Sequence, residues 1–320
     1  MTTALTLTTT DATTGPRGLS RVELTLRRDN FGAAVIVGLN QATPADRKSV
    51  AAARRTYRAL RAAVGYTSDS HGILTDGAAQ YKLGKNSLAS FGLMLTPARG
   101  IMADGFADIR AVFGLTGAWN LCPRASDGCA AACLVFSGQS GMPTAQRAQA
   151  VRTAFLLSHP YEAGLIIGAE IRAAIRKHGA INLRLNTTSD IRWEIVAPAM
   201  IDALVAAGVQ LYDYTAWAPA DRLPSADYSL TYSAKEPAHT SDEYLTGILS
   251  NGGNVAMPFD TPRGSALPET WHGYRVIDGD ESDERRLDPS GPVGVIVGLR
   301  AKGYRWRRDN SAGFIRHAGA

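Results

Sequence analysis

Apolar positions follow two different spacings in the second half of the chain. Stretches with apolar residues at helical spacing predict helices over 143–157, 161–177, 193–207 and 241–249. Short apolar runs between turn residues predict strands over 181–186, 209–214, 228–233, 254–259, 274–278 and 293–299. Strands that alternate with helices pair in parallel through right-handed crossovers. The pattern therefore predicts an α/β fold, TIM-barrel-like with an incomplete or distorted barrel.

The first part of the chain has a less regular pattern. Residues 1–18 are rich in Thr and predict a flexible arm. Residues 42–64 combine helix formers with a Thr-Pro-Ala-Asp opening, which predicts a basic helix. Its arginines either contact phosphate or form a solvated face. We expect an irregular N-terminal region over 19–120 that forms one compact unit with a β/α core over 121–320.

Composition and charge narrow the class of protein. Hydrophobic residues make up 45% and charged residues 20% of the chain, as in soluble globular proteins. No apolar run reaches the roughly 18 residues that cross a bilayer, and no leader pattern is present, so we expect a cytoplasmic protein without membrane contact. The net charge of +5 permits a polyanionic partner. The segment 302–317, KGYRWRRDNSAGFIRH, suits nucleic-acid contacts or a solvated terminal element.

All three cysteines fall in one short segment, NLCPRASDGCAAACL, as Cys122, Cys129 and Cys133. In a reducing compartment such clusters are typical of metal ligands or catalytic thiols. An iron–sulfur cluster on three thiolates, the leading interpretation, would leave one iron open to a substrate. Zinc would need a further donor, for which His159 is nearest in sequence, and structural thiols are the third possibility. The spacing is not that of the common radical S-adenosylmethionine enzymes, so no standard motif supports S-adenosylmethionine.

Polar residues lie in or directly after the predicted strands. Ligands of parallel α/β folds bind at the carboxyl ends of the strands, although loops are polar even without a function. Carboxylates there suit proton transfer or nucleophilic attack, so Asp213, Asp190 and Glu194 are the candidate catalytic residues. The candidate substrate-binding residues are Arg184, Asn186, Ser189, Tyr214, Ser233, Lys235 and Asp280.

Five motifs in fixed order carry a family resemblance: NLCPRASDGCAAACL, RLNTTSDIRWE, LYDYTAWAPADR, YSLTYS and VIDGDESDERRLD. Together they resemble a family of uncharacterised bacteriophage gene products, from about residue 82 to residue 314. The family pattern has Lys where this chain has Ala216, so the resemblance implies that an amine there is lost unless Lys235 replaces it. Locally, GVQLYDYTAWAPADR is similar to the strand of tRNA-guanine transglycosylases that carries the nucleophilic aspartate, which would place that role on Asp213.

The expected function combines these features. We expect a phage-type enzyme that acts on a nucleobase, nucleotide or nucleic acid, DNA base modification included, with the cysteines holding an iron–sulfur cluster or zinc. The alternative is a non-catalytic nucleic-acid-binding protein of phage replication with a structural metal site. A small-molecule enzyme is the third possibility. The sequence contains no P-loop, Gly-x-Ser-x-Gly or His-Glu-x-x-His motif, which disfavours those enzyme classes.

Overall fold

The computed structural model describes residues 18–67, 72–79, 83–136, 138–223, 225, 227–302 and 310–318. The predicted N-terminal arm therefore lies almost wholly outside the described residues, as does the central part of the basic and aromatic segment 302–317. Within these ranges, no helix combines the length and the apolar character that a bilayer crossing requires.

Helices and strands alternate through the second half of the described chain. The helices are α1 (Arg21–Arg28), α2 (Phe31–Asn40), α3 (Pro44–Ala63), α4 (Ala107–Val112), α5 (Asp127–Ala131), α6 (Pro143–Ser158), α7 (Pro160–His178), α8 (Trp193–Val196), α9 (Pro198–Ala206) and α10 (Asp242–Ser250). The strands are β1 (Thr75–Asp76), β2 (Ser90–Gly92), β3 (Ile181–Arg184), β4 (Val209–Thr215), β5 (Tyr228–Ser233), β6 (Asn254–Phe259), β7 (Thr270–Trp271), β8 (Tyr274–Asp278) and β9 (Ile296–Arg300).

One mixed sheet organises the fold, with strand order β1-β2-β3-β4-β5-β6-β9-β8-β7. The strands from β2 to β8 in this order are parallel, and β1 and β7 pair antiparallel at the two edges. The α/β class is confirmed. The predicted barrel is not formed: in the described chain the sheet is open, with β1 at one edge and β7 at the other. Alternating strands and helices specify parallel pairing, but the same pattern occurs in open sheets and in barrels.

The predicted helix over 193–207 is interrupted. Helix α8 ends at Val196, and α9 begins at Pro198 after Ala197, which has φ −147° and ψ 63°. Proline lacks an N–H and disfavours helical geometry in the residue before it, so the chain starts a new helix there. The other predicted elements of the second half are confirmed with boundaries shifted by up to three residues.

The helices α2 and α7 pack backbone against backbone. A Cβ atom at Gly164 would lie 2.6 Å from the carbonyl oxygen of Phe31, and one at Gly168 would lie 2.7 Å from the Leu39 nitrogen. Only glycine permits this approach. Arg172 of α7 also donates from Nη1 to the carbonyl oxygen of Asn40 at the end of α2, over 2.8 Å. The apolar run 31–39 is thereby buried against α7.

The two faces of the sheet differ in polarity. One face places Leu183, Leu211 and Tyr228 in the same apolar core as α2, α7 and α9. The other face carries Asn182 and Arg184, which bond to the loop after β8 instead of to a helix. Asn182 Nδ2 donates to Glu284 Oε1 over 2.9 Å, and Arg184 Nη1 donates to Asp283 Oδ2 over 2.6 Å. The segment 282–288 therefore covers this face through polar contacts.

Candidate functional site

The cysteine segment lies across the carboxyl edge of the parallel strands. The Asp190 N–H, which follows β3, donates to the Leu121 carbonyl oxygen over 2.8 Å. The Cys122 thiol lies 3.7 Å from the Thr188 carbonyl oxygen in the same loop. Cys129 lies in α5, where the Ser126 hydroxyl accepts its N–H over 3.2 Å. The predicted position of the cysteines beside the strand ends is thereby observed.

The three thiols are close enough to influence one another. All are free and half-buried, and Cys122 interacts electrostatically with Cys129, Cys133 and Asp190. Burial raises the pKa of Cys122 well above its usual range, that of Cys129 to about 12, and that of Cys133 as well. The thiols therefore carry protons at neutral pH without a cation, and metal binding would have to release those protons.

The donor set has the right chemistry for a thiophilic metal. Thiolates select zinc, copper(I) and iron–sulfur clusters over hard cations. Among the described residues, however, no three His, Cys, Asp or Glu side chains are already arranged to hold a metal ion. His159 packs elsewhere, stacked on Phe155 with ring centroids 5.3 Å apart. The fit therefore rests on donor type and grouping, and the metal stays a prediction.

Two cationic side chains interact with each other beside the cysteine segment, and one of them, Lys235, also interacts with a thiol. Lys235, which follows β5, interacts electrostatically with Asp190, Cys129 and Arg124. Burial lowers its pKa, and the like charge of Arg124 lowers it further. The Arg124 guanidinium lies over the Trp217 ring, 4.8 Å from its centroid. Arg124 Nη2 also lies 3.9 Å from Asp221 Oδ2, and a further anion between the two cations would relieve their mutual repulsion.

Glu236 is a member of the site that the sequence reasoning missed. Its Oε1 accepts the N–H of Gly128 in α5 over 2.5 Å, and its side chain interacts electrostatically with Cys129. The residue is only 3% exposed, and its Oε2 has no hydrogen-bond partner in the described part of the chain. The only sequence signal is its position next to Lys235, directly after a strand end.

Asp190 ties the cysteine segment to the end of β4. Its Oδ1 accepts the Thr215 hydroxyl over 2.9 Å, and its Oδ2 accepts the Ala216 N–H over 2.8 Å. Burial raises its pKa. The Asp190 carboxylate, which accepts the Ala216 N–H, also interacts electrostatically with Lys235. The Lys235 amine therefore lies near Ala216, the position where the family pattern has Lys.

The remaining residues of the 186–194 segment form a bonded scaffold. The Asn186 Oδ1 accepts from the Ser189 hydroxyl over 3.0 Å and from the Trp193 Nε1 over 3.1 Å. Glu194 accepts two hydrogen bonds from Arg222, of 2.6 and 3.0 Å, and both side chains are buried. The hydrogen bonds within this segment and to Arg222 are sufficient to explain why these positions are polar. Substrate binding by Asn186 and Ser189 and catalysis by Glu194 stay predictions.

Asp213 lies inside the sheet, fully buried. It accepts the Asn186 N–H over 3.0 Å and the Tyr228 hydroxyl over 2.7 Å, and burial raises its pKa to about 7. Arg184 lies 3.6 Å from it through Nε, but its shorter ion pair is with Asp283. The buried arginine thus has two acidic partners. Catalysis by Asp213 stays a prediction, and in this conformation its carboxylate is closed to solvent.

Three other predicted residues are spread along the sheet. Tyr214 donates to Asp283 over 3.5 Å on the polar face. Asp280 accepts the Arg300 N–H over 2.9 Å and pairs with Lys302 over 3.0 Å, beside β9. Ser233 ends β5, half-buried, two residues before Lys235. Of these three, Ser233 lies nearest along the chain to Lys235, the cation that interacts with Cys129.

The fold and the site define an open-sheet α/β protein with a cysteine-rich segment and two cations at its carboxyl edge. The chain belongs to the gene product 88 family, whose sequence model matches residues 77–318. This match confirms the resemblance to phage gene products and gives no support to the local similarity with tRNA-guanine transglycosylases. Neither the curated proteins nor the solved structures contain a match to the chain.

Proposed function

We propose that this chain is a metal-dependent enzyme of the phage gene product 88 family, with its active centre at Cys122, Cys129 and Cys133. One observation supports the proposal: the Cys129 thiol, which interacts electrostatically with Cys133, also interacts with the Lys235 ammonium, and Lys235 follows a strand at the ligand-binding edge of a parallel sheet. The neighbouring carboxylates Asp190 and Glu194 are hydrogen-bonded into the scaffold. The thiols, Lys235 and Glu236, whose Oε2 has no hydrogen-bond partner among the described residues, are therefore the groups that remain for chemistry.

The three cysteines would hold the metal, and the leading group is an iron–sulfur cluster. Such a cluster on three thiolates supplies one iron with an open position for a substrate atom, and zinc with a further donor is the second choice. Lys235, with its lowered pKa, can give or take a proton near neutral pH more readily than an ordinary lysine. Asp190 would hold the cysteine segment against the ends of β3 and β4.

The substrate class follows from the charges around the thiols. Arg124 and Lys235 repel each other, which favours a substrate with an anionic group between them. The arginine also lies on the Trp217 ring, so its guanidinium plane is held in a fixed orientation. Phosphate binds well to such fixed guanidinium groups. We infer a nucleotide or a nucleic acid as substrate, with DNA base modification as the reaction class.

Metal analysis tests the proposal most directly. The full-length protein is purified without oxygen, and its iron, sulfide and zinc are measured together with its absorbance spectrum. We expect iron and sulfide with a brown colour, lost in Cys122→Ser and retained in Asp213→Asn, whose carboxylate contacts Asn186 and Tyr228. Colourless protein with one zinc per chain would replace the cluster by zinc. Protein that contains neither metal would refute the metal centre.

A binding measurement tests the anion site without knowledge of the reaction. Calorimetry with a deoxynucleoside monophosphate should show binding that weakens about tenfold or more in Lys235→Met, since a charge-assisted hydrogen bond contributes about 1.5–3 kcal/mol. Lys302→Met is the matched control, because Lys302 pairs with Asp280 beside β9. Equal affinities of the two variants would contradict the assignment. Binding that needs duplex DNA and is insensitive to Lys235 would favour the non-catalytic alternative.

A further inference from the structure

The outer face of α3 carries an unusual concentration of positive charge. Five exposed cationic side chains lie within about 120° of the helix circumference, at about 100° per residue. They are Arg47, Lys48, Arg54, Arg55 and Arg58. We propose that this face, the α3 basic face, binds the phosphate backbone of double-stranded DNA. The inference rests on the proposed function only in taking the DNA to be its substrate.

Most charges of the α3 basic face are not neutralised by the described residues, and the exception is Arg54, which interacts electrostatically with Glu170. Lys48, Arg55 and Arg58 make no ion pair or hydrogen bond with the residues that the structure describes. The acidic residue of α3 is Asp46, which forms a capping box with Thr43 at the start of the helix. Its Oδ2 accepts the Thr43 N–H over 2.8 Å, so it is directed towards the helix terminus. The positive potential along the exposed side is therefore available to a partner.

The helix is mounted rigidly enough to present these charges as a fixed row. Val50, Ala53 and Tyr57 are buried on its inner side, and the Tyr57 ring packs against Phe155 with centroids 4.6 Å apart. From Arg47 to Arg58 the row extends about 16 Å, at about 1.5 Å per residue. One strand of a DNA duplex presents a phosphate about every 3.4 Å along the axis. The row therefore spans a length of duplex that carries about five phosphates on each strand.

The residues between the cations favour duplex DNA over other anionic partners. The exposed positions beside them include Ala51, Ala52, Ala59 and Ala62, none of them large and apolar. Membrane-surface helices need Trp, Phe or Leu on the buried side. Single-stranded nucleic acid is bound largely by stacking on exposed aromatic rings, and the aromatic residue of α3, Tyr57, is 1% exposed. A phosphate backbone needs only the charges.

Salt-dependent DNA binding tests the inference. The full-length protein is titrated into a fluorescent duplex of arbitrary sequence, at several salt concentrations between about 50 and 200 mM. We expect the logarithm of the affinity to fall linearly with that of salt, by about 0.9 per phosphate contacted. Arg55→Gln/Arg58→Gln should reduce the slope by about two. Arg263→Gln/Arg275→Gln, which removes two exposed arginines near β7 and β8, should leave it unchanged.

Each outcome decides the assignment. Equal slopes for the two double variants would refute the α3 basic face as the DNA site. Polyglutamate that competes as well as duplex DNA would refute a preference for DNA, and binding to anionic vesicles but not to DNA would replace DNA by a lipid surface. Metal content is measured on the same preparations. Loss of the proposed metal centre and failure of the α3 basic face are thus distinguishable.

Discussion

Gly168→Ala should destabilise the fold through the contact between α2 and α7. A Cβ at this position would overlap the Val35 carbonyl oxygen and lie 2.7 Å from the Leu39 nitrogen. Both atoms belong to the α2 backbone and cannot rotate away as a side chain would. The two helices must therefore separate by about 1 Å to reach ordinary van der Waals distance.

The expected magnitude combines three contributions. A gap of this size forfeits about a quarter of the packing energy of the apolar side chains of α2, or about 2 kcal/mol for four side chains at about 2 kcal/mol each. Residual strain adds about 1–3 kcal/mol. The higher helix propensity of alanine offsets about 1 kcal/mol. We expect a net loss of about 2–4 kcal/mol in the free energy of unfolding.

Urea denaturation followed by circular dichroism and tryptophan fluorescence measures this loss. Trp193 reports on α2 because it packs against Phe31, with ring centroids 5.2 Å apart. Gly247→Ala in α10 is the matched control, since no atom lies within 4 Å of its added methyl group. The control should gain up to about 1 kcal/mol. If Gly168→Ala were as stable as the control, the close helix contact would be refuted.

Three further changes test buried polar groups. Because burial raises the pKa of Asp213 to about 7, above the usual 3.8, the folded state holds a proton that the unfolded state releases, and stability falls as pH rises from about 4 to 7. Asp213→Asn should remove a slope of up to about 1.4 kcal/mol per pH unit in urea titrations, and parallel profiles would contradict this. Arg222→Met should lower the stability measured by thermal unfolding by about 3–5 kcal/mol, because it leaves Glu194 buried and unpaired. Adding Glu194→Gln should restore part of that stability. Strictly additive losses from the two changes would argue against the ion pair. Glu236 holds α5 through the Gly128 N–H, so Glu236→Ala should speed the alkylation of Cys129 in metal-free protein. Glu236→Gln is the control, because it keeps an acceptor for that N–H. Equal alkylation rates in the two variants would exclude a role of Glu236 in positioning Cys129.

The sequence predicted the local elements better than their arrangement. Strands β4, β5, β6 and β8 have the expected bounds to within one residue, because each is a short apolar run between turns. Strand order is a different matter, since it depends on contacts between distant segments. Nothing in the run 293–299 indicates that it pairs with both β6 and β8. The helix α2 was missed because its apolar residues surround the helix and show no periodic stripe.

The residues of the candidate site show the same dependence on contacts between distant segments. The cysteines were recognised because all three fall in one short segment, and the structure places the start of that segment beside the loop that follows β3. A polar residue after a strand gives the same sequence signal whether its side chain binds a substrate or forms hydrogen bonds within its own loop. Asn186, for example, has its side chain hydrogen-bonded to Ser189 and Trp193 in this structure, and nothing in the sequence indicated these contacts. Glu236 was missed because its partner, the Gly128 N–H, is distant along the chain.

The position of β9 between β6 and β8 constrains the order in which the sheet can assemble. During synthesis β7 and β8 emerge before β9, yet β8 has no parallel partner until residues 296–300 are present. The strands beyond β6 therefore cannot join the sheet until β9, the last strand of the described residues, has been synthesised. Until then the edge of β6 is an unpaired strand, which is a template for wrong pairing between molecules. A ribosome stalled before residue 296 would hold a nascent chain whose sheet ends at β6.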